Sequence, residues 1–215
     1  QVWAQGGHGL AGRMVLAPGF GYVCNWRGDC IAPETVVAGN PRGGGSHAQR
    51  CFIFLDIDGV VHPASEPAVL NGVDGCFQPQ CLERLKRIID TTNALVVLSS
   101  TWRERPELLD EAMRRLAKWE IHVYDTTPVM ERNYGKALMR SNGRCREINS
   151  WLKMHSDEIG MFMVLDDMNM SRVFGNNCVV VDGRTGLSET DVQKVTSRLN
   201  IGKTRGSAWE TVIGL

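Results

Sequence analysis

From residue 51 onward, short continuous apolar runs alternate with stretches of helical period. Cys51-Phe-Ile-Phe-Leu-Asp-Ile57 is apolar on both of its faces over the length of a strand, which predicts a strand buried on both sides. Ala94–Ser99, Ile121–Asp125, Met161–Asp166 and Cys178–Asp182 repeat that signature. Between them the apolar period lengthens. Pro79 opens a helix predicted over 79–91, with Leu82, Leu85, Ile88 and Ile89 along one face. A second, over 106–119, places Leu109, Ala112, Met113, Leu116 and Trp119 on one side, and a third covers about 144–155 with Ile148, Trp151 and Leu152. Ser188 is the expected N-cap of a closing helix over 189–199, where Val192, Val195 and Leu199 face inward and Asp191 stands three residues beyond the cap. Strands alternating with helices predict an α/β fold, a doubly wound parallel sheet covered on both faces. Ligands of such sheets bind beyond the carboxyl ends of the strands.

Residues 1–50 break the pattern. They hold 11 of the 23 glycines, four arginines, no lysine and two acids, Asp29 and Glu34, and they end in a Pro-Arg-Gly-Gly-Gly-Ser run. The expected organisation is an extension over 1–50 followed by a catalytic-type domain over 51–215. Trp3, Phe20, Tyr22 and Trp26 exceed what a plain linker needs, which favours a docking arm for a protein partner. The acid-poor composition also suits the remainder of an organelle presequence, and Gln1 in first position points to a processed or partial chain.

Composition narrows the class. Lysine plus arginine and aspartate plus glutamate both number 24, so an overall basic coat for nucleic acid is not expected. No apolar stretch approaches the length of a membrane span. The seven cysteines are odd in number and form no CxxC pair, so reduced thiols in an intracellular protein, cytoplasmic or in an organelle such as the mitochondrion, are expected.

Chemistry concentrates where the strands end. The first strand runs out into Asp56-Ile-Asp58-Gly59, the second into Ser99-Ser100, the fourth into Asp166-Asp167. Alternation along a strand lets Asp56 and Asp58 share a direction. Four carboxylates beside a hydroxyl at one sheet edge would repel one another unless a hard cation sat among them, and oxygen ligands suit Mg²⁺. Other signals carry less. Gly202-Lys203-Thr204 imitates the end of a P-loop, but the earlier glycine is replaced by Ser197. His62 reads as a loop histidine, and Trp102 and Trp151 as packing residues.

Phe-Leu-Asp56-Ile-Asp58-Gly59-Val60-Val61, Val-Val-Leu-Ser99-Ser100-Thr-Trp102-Arg103 and Val-Leu-Asp166-Asp167 resemble motifs I, II and IV of the haloacid dehalogenase (HAD) superfamily of phosphohydrolases. Thr127-Pro128, Arg144-Cys-Arg-Glu147-Ile148-Asn-Ser-Trp151-Leu152 and Asp182-Gly-Arg-Thr-Gly186-Leu187-Ser188 are similar to the HAD domain of multidomain RNA-repair ("Swiss Army Knife") proteins. The resemblance covers about 51–200 and implies a HAD-like Rossmannoid sheet. It further implies Asp56 as nucleophile, Asp58 as general acid and base, and Mg²⁺ held by Asp56, the Asp58 carbonyl and Asp166 or Asp167. Ser99, with Ser100 as the alternative, would bind the transferring phosphoryl group. Arg144 would neutralise it, with Lys136 as the competing cation, and Arg103 would hold a further phosphate.

HAD enzymes of small metabolites usually carry a cap, yet only 62–77 is free here to form a flap. A minimal cap leaves the site open, which suits a large phosphorylated substrate such as a nucleic-acid end. Residues 132–153 carry six cations against Glu147 alone, in keeping with a polyanion. The competing expectation is a HAD-like subunit with reduced or lost catalysis, docked into a larger assembly through 1–50.

Overall fold

The structure is a computed structural model that describes residues 23–24, 30–31, 49–63, 77–130 and 137–205. The chain divides into two units, Gln1–Gly45 and Ser46–Leu215. In the first, β1 (Val23–Cys24) pairs antiparallel with β2 (Cys30–Ile31).

The second unit holds β3 (Arg50–Leu55), α1 (Pro79–Thr92), β4 (Leu95–Leu98), α2 (Pro106–Ala117), β5 (Val123–Thr126), α3 (Ala137–Met154), β6 (Ile159–Asp166), α4 (Ser171–Phe174), β7 (Cys178–Val180) and α5 (Glu189–Arg205). Five strands form one parallel sheet in the order β5-β4-β3-β6-β7, with β3 at its centre. This is the α/β arrangement that the alternating pattern predicts. Parallel neighbours require crossovers, and the intervening helices supply them on both faces.

Alternation along β3 builds two cores. Ile53 and Leu55 join Leu85, Ile88, Ala112, Leu116, Val195 and Leu199 on the side of α1, α2 and α5. Phe52 and Phe54 join Ile148, Trp151, Leu152 and Phe174 on the side of α3 and α4. The second core is largely aromatic: Phe54 meets Trp151 and Phe162 edge-on at centroid distances of 5.3 and 5.9 Å. Each fully buried side chain of this size contributes on the order of 1.5–3 kcal/mol. Cys51, Cys81, Cys145 and Cys178 are free and buried, and burial pushes the Cys145 thiol up to about 11.

Several boundaries differ from the sequence-based expectation. The third helix starts at Ala137, seven residues before the predicted start near 144. Met113, expected inward on α2, is 41% exposed, because Ala112 and Leu116 already fill that face. α5 continues through Gly202–Thr204, so the P-loop imitation lies in a helix. Ser188 and Asp191 form the expected reciprocal cap: the Ser188 N–H donates to Asp191 Oδ2 at 3.1 Å, and the Asp191 N–H donates to Ser188 Oγ at 3.3 Å. Among the described residues no helix is long and apolar enough to cross a membrane. Of the stretch 62–77 expected to form a flap, residues 64–76 lie outside the described residues.

Candidate active site

Sheet register assembles the site. Leu55 stands opposite both Leu98 and Leu165, and Leu98 opposite Thr126. One step further, the Ser99 N–H donates to Leu55 O at 2.8 Å, the Thr127 N–H to Leu98 O at 3.0 Å and the Asp56 N–H to Leu165 O at 3.0 Å. Thr127, Ser99, Asp56 and Asp166 therefore form a row along the carboxyl edge of the sheet. Their parity is that of Phe52, Phe54, Val97 and Phe162, which face α3. The chemistry gathers on one face because each strand ends on the same phase of its alternation.

α3 delivers the cation. Arg144, buried at its N-terminal half, bridges two carboxylates of the row: Nη1 donates to Asp56 Oδ2 and, at 2.7 Å, to Asp166 Oδ2. Asp56 Oδ1 accepts the Ile57 N–H at 2.8 Å, and Asp166 Oδ1 accepts the Met168 N–H at 2.8 Å, so both carboxylate planes are fixed. Oxygen atoms of Asp56, Asp166 and Asp167 lie within 4.8 Å of one another. Three acids against one guanidinium leave excess negative charge. Burial, and then the neighbouring Asp56, accordingly push Asp166 above the ordinary carboxylate range, against the pull of Arg144. Against the cost of its own burial, Asp56 and Asp166 hold Arg144 firmly protonated. The surplus of hard oxygen donors is what a divalent cation would offset.

Asp58 follows in the turn that leaves β3 and is exposed. Crowding by the surrounding protein, and then negative Asp56, push its carboxyl above the usual range, while the indole of Trp102 opposes the rise. Trp102 Nε1 donates to both Asp58 oxygens, at 3.1 and 3.0 Å.

Beside Asp167 there is room only for glycine. Gly59 adopts φ +76°, and a Cβ there would lie 2.7 Å from Asp167 Cβ, Cγ and Oδ2. Gly183 closes from the other side, where a Cβ would meet Asp167 Oδ2 at 2.9 Å. Gly59→Ala is expected to cost about 1–2 kcal/mol for its left-handed backbone alone. It should also displace Asp167. Urea denaturation gives the first effect, and calorimetric titration with Mg²⁺ gives the second as weakened binding.

A family model described as the HAD domain in Swiss Army Knife RNA repair proteins matches residues 52–192. The chain belongs to this family. A search of curated proteins finds no match.

Within the HAD domain, the sequence-predicted site residues separate into those the fold brings together and those it uses otherwise. Asp56, Asp58, Ser99, Arg144, Asp166 and Asp167 converge at the carboxyl edge. Ser99 is buried, and among the described residues its Oγ has no hydrogen-bond partner. Ser100 instead caps the short 3₁₀ turn Thr101–Glu104, accepting the Trp102 N–H at 3.4 Å. Lys136 lies outside the described residues.

Arg103 requires a correction. Its side chain is 1% exposed and bonds Glu147 at 2.5 Å, the Ser100 carbonyl at 2.5 Å, the Thr127 carbonyl at 2.9 Å and the Pro128 carbonyl at 3.3 Å. A guanidinium engaged on four acceptors inside the protein is a brace between β4, β5 and α3, with no fork left for a substrate phosphate. Sequence reasoning missed three participants. Trp102, read as packing, also reaches the acid. His62, read as an ordinary loop residue, is buried beside Asp58, with Nδ1 unpartnered among the described residues. Thr127, noted only as part of a similar motif, joins the row with Oγ1 unpartnered among the described residues. Register could have exposed Thr127, since it occupies in β5 the place that Ser99 occupies in β4.

Proposed function

We propose that this HAD domain hydrolyses phosphate monoesters through an aspartyl-phosphate on Asp56, and that its substrates are phosphorylated nucleic-acid or nucleotide ends. The observation that carries the reading is the edge row itself, in which Asp56 is held by Arg144 beside the unpartnered Ser99 hydroxyl. Asp56 attacks phosphorus, the ester P–O bond breaks with its electron pair on the leaving oxygen, and Asp58 gives that oxygen its proton. Water then attacks the aspartyl-phosphate while Asp58 takes a proton from it, which frees inorganic phosphate and restores Asp56. Ser99 and Arg144 orient the phosphoryl group, Arg144 by a donor fork that matches its oxygens.

Asp56, Asp166 and Asp167 fit Mg²⁺ by donor type and mutual distance. When bound, Mg²⁺ would lower the repulsion between an anionic nucleophile and an anionic phosphate. The family description, which names RNA repair, supports the choice of polynucleotide ends. Within this reading residues 1–50 serve as a docking arm and 51–215 as the catalytic domain.

The test is phosphate release from p-nitrophenyl phosphate and from oligoribonucleotides bearing a 3′- or 5′-phosphate, with Mg²⁺ and with EDTA. The expected result is turnover that requires Mg²⁺ and has a higher kcat/KM on one oligonucleotide end than on the aryl ester. No turnover of any substrate would remove the phosphatase reading, and preference for the aryl ester would remove the polynucleotide one.

A further inference from the structure

Among the described residues, Trp102 is the one uncharged side chain hydrogen-bonded to an expected reacting group. Its indole nitrogen is shared between both oxygens of Asp58. The ring is firmly seated. It is 6% exposed, its backbone N–H is taken by the Ser100 cap, and Phe77 packs edge-on against it at 5.5 Å and 85°. Phe77 is covered in turn by the Arg115 guanidinium, 5.4 Å from its centroid. Asp58, by contrast, is the exposed residue of an otherwise buried turn after its strand has ended. The buried tryptophan is therefore the partner that orients the acid.

We propose that Trp102 is the positioning residue for Asp58, fixing the plane and direction of its carboxyl toward the leaving group; this rests on the phosphatase reading above. An indole N–H only donates and does not titrate in the working range. The contact reaches both oxygens, at 3.1 and 3.0 Å, so it sets the plane of the carboxyl without adding a charge beside it.

The proposal separates Trp102 from a merely structural residue through the leaving group. kcat/KM reports steps up to formation of the aspartyl-phosphate, where a poor leaving group needs its proton and an activated one hardly does. Trp102→Phe keeps the ring against Phe77 and removes the N–H. It is expected to lower kcat/KM for phenyl phosphate by roughly 10- to 100-fold, within the range of general acid catalysis. The loss should shrink steadily through p-nitrophenyl to 2,4-dinitrophenyl phosphate. An equal loss on all three esters, or no loss on any, overturns the proposal while leaving the phosphatase reading intact. Wild-type protein inactive on every ester overturns that reading and this role with it. Nitrogen-proton spectra of the full chain test the contact without turnover: the assigned Trp102 indole resonance should move in Asp58→Ala. A resonance that stays in place overturns the proposal even if Trp102→Phe fails to fold.

Discussion

Asp56→Asn is expected to reduce phosphate release by at least about a thousandfold, ~4 kcal/mol of transition-state stabilisation, with the melting temperature close to that of the wild type. The two halves of the expectation have separate causes. Activity falls because an amide oxygen is a poor nucleophile toward phosphorus and cannot form the acyl phosphate. Stability holds because the site carries more negative charge than Arg144 can balance. Asp56 and Asp166 share one guanidinium, and Asp167 lies within the same 4.8 Å cluster. Neutralising Asp56 relieves repulsion with Asp166 and Asp167, while Arg144 keeps its bond to Asp166 at 2.7 Å. Loss of the Asp56 bond and relief of that repulsion offset one another in the folded state. Steady-state kinetics with a coupled phosphate assay and thermal unfolding of the same preparation check both halves. Turnover within tenfold of wild type would exclude Asp56 as nucleophile, and unfolding together with inactivity would show the residue to be structural.

The elements were legible because a doubly wound sheet writes its burial into the chain. A strand covered on both faces is apolar throughout, so Cys51–Ile57 could be read directly, and Asp56 stood out as an acid at the end of such a run. The positions of Asp56, Ser99 and Asp166 followed from the same cue, since each lies one residue past an apolar run in a sheet whose strands are parallel. Ser99 against Ser100 was not decidable from sequence. One residue reverses the face of a side chain, and only the register of β4 on β3 places Ser99 in the row and Ser100 in the cap. α3 was read short because Ser141, Asn142 and Gly143 carry no apolar stripe. Arg103 was misread for a different reason. Nothing local distinguishes an arginine that faces substrate from one that faces a buried acid 44 residues away. The same holds for Trp102, whose apolar surroundings were legible but whose N–H partner was not.

That misread arginine carries the largest stability effect expected from a single charge. Glu147 is fully buried and Arg103 nearly so, and they bond at 2.5 Å. Glu147 also accepts the Met130 N–H at 3.2 Å, so it ties α3 to the segment after β5. Glu147→Ala leaves a guanidinium enclosed without its counter-charge, which is expected to cost about 3–5 kcal/mol, several times an ordinary surface change. In a domain of this size that lowers the melting temperature on the order of 10 °C. Glu147→Gln keeps an acceptor in place and should cost less. The double variant Arg103→Met, Glu147→Met should recover part of the loss, because an apolar pair removes the stranded charge instead of exposing it. Urea unfolding of the two single variants and the double variant gives the coupling directly, and additive losses would show that the pair does not act as a unit. Function should follow the fold in one respect. Glu147 lies one helical turn beyond Arg144, so the brace also fixes where Arg144 meets Asp56. Glu147→Gln is accordingly expected to weaken binding of inorganic phosphate, read by calorimetry at a temperature where the variant remains folded. Unchanged phosphate affinity in that variant would confine the brace to stability alone.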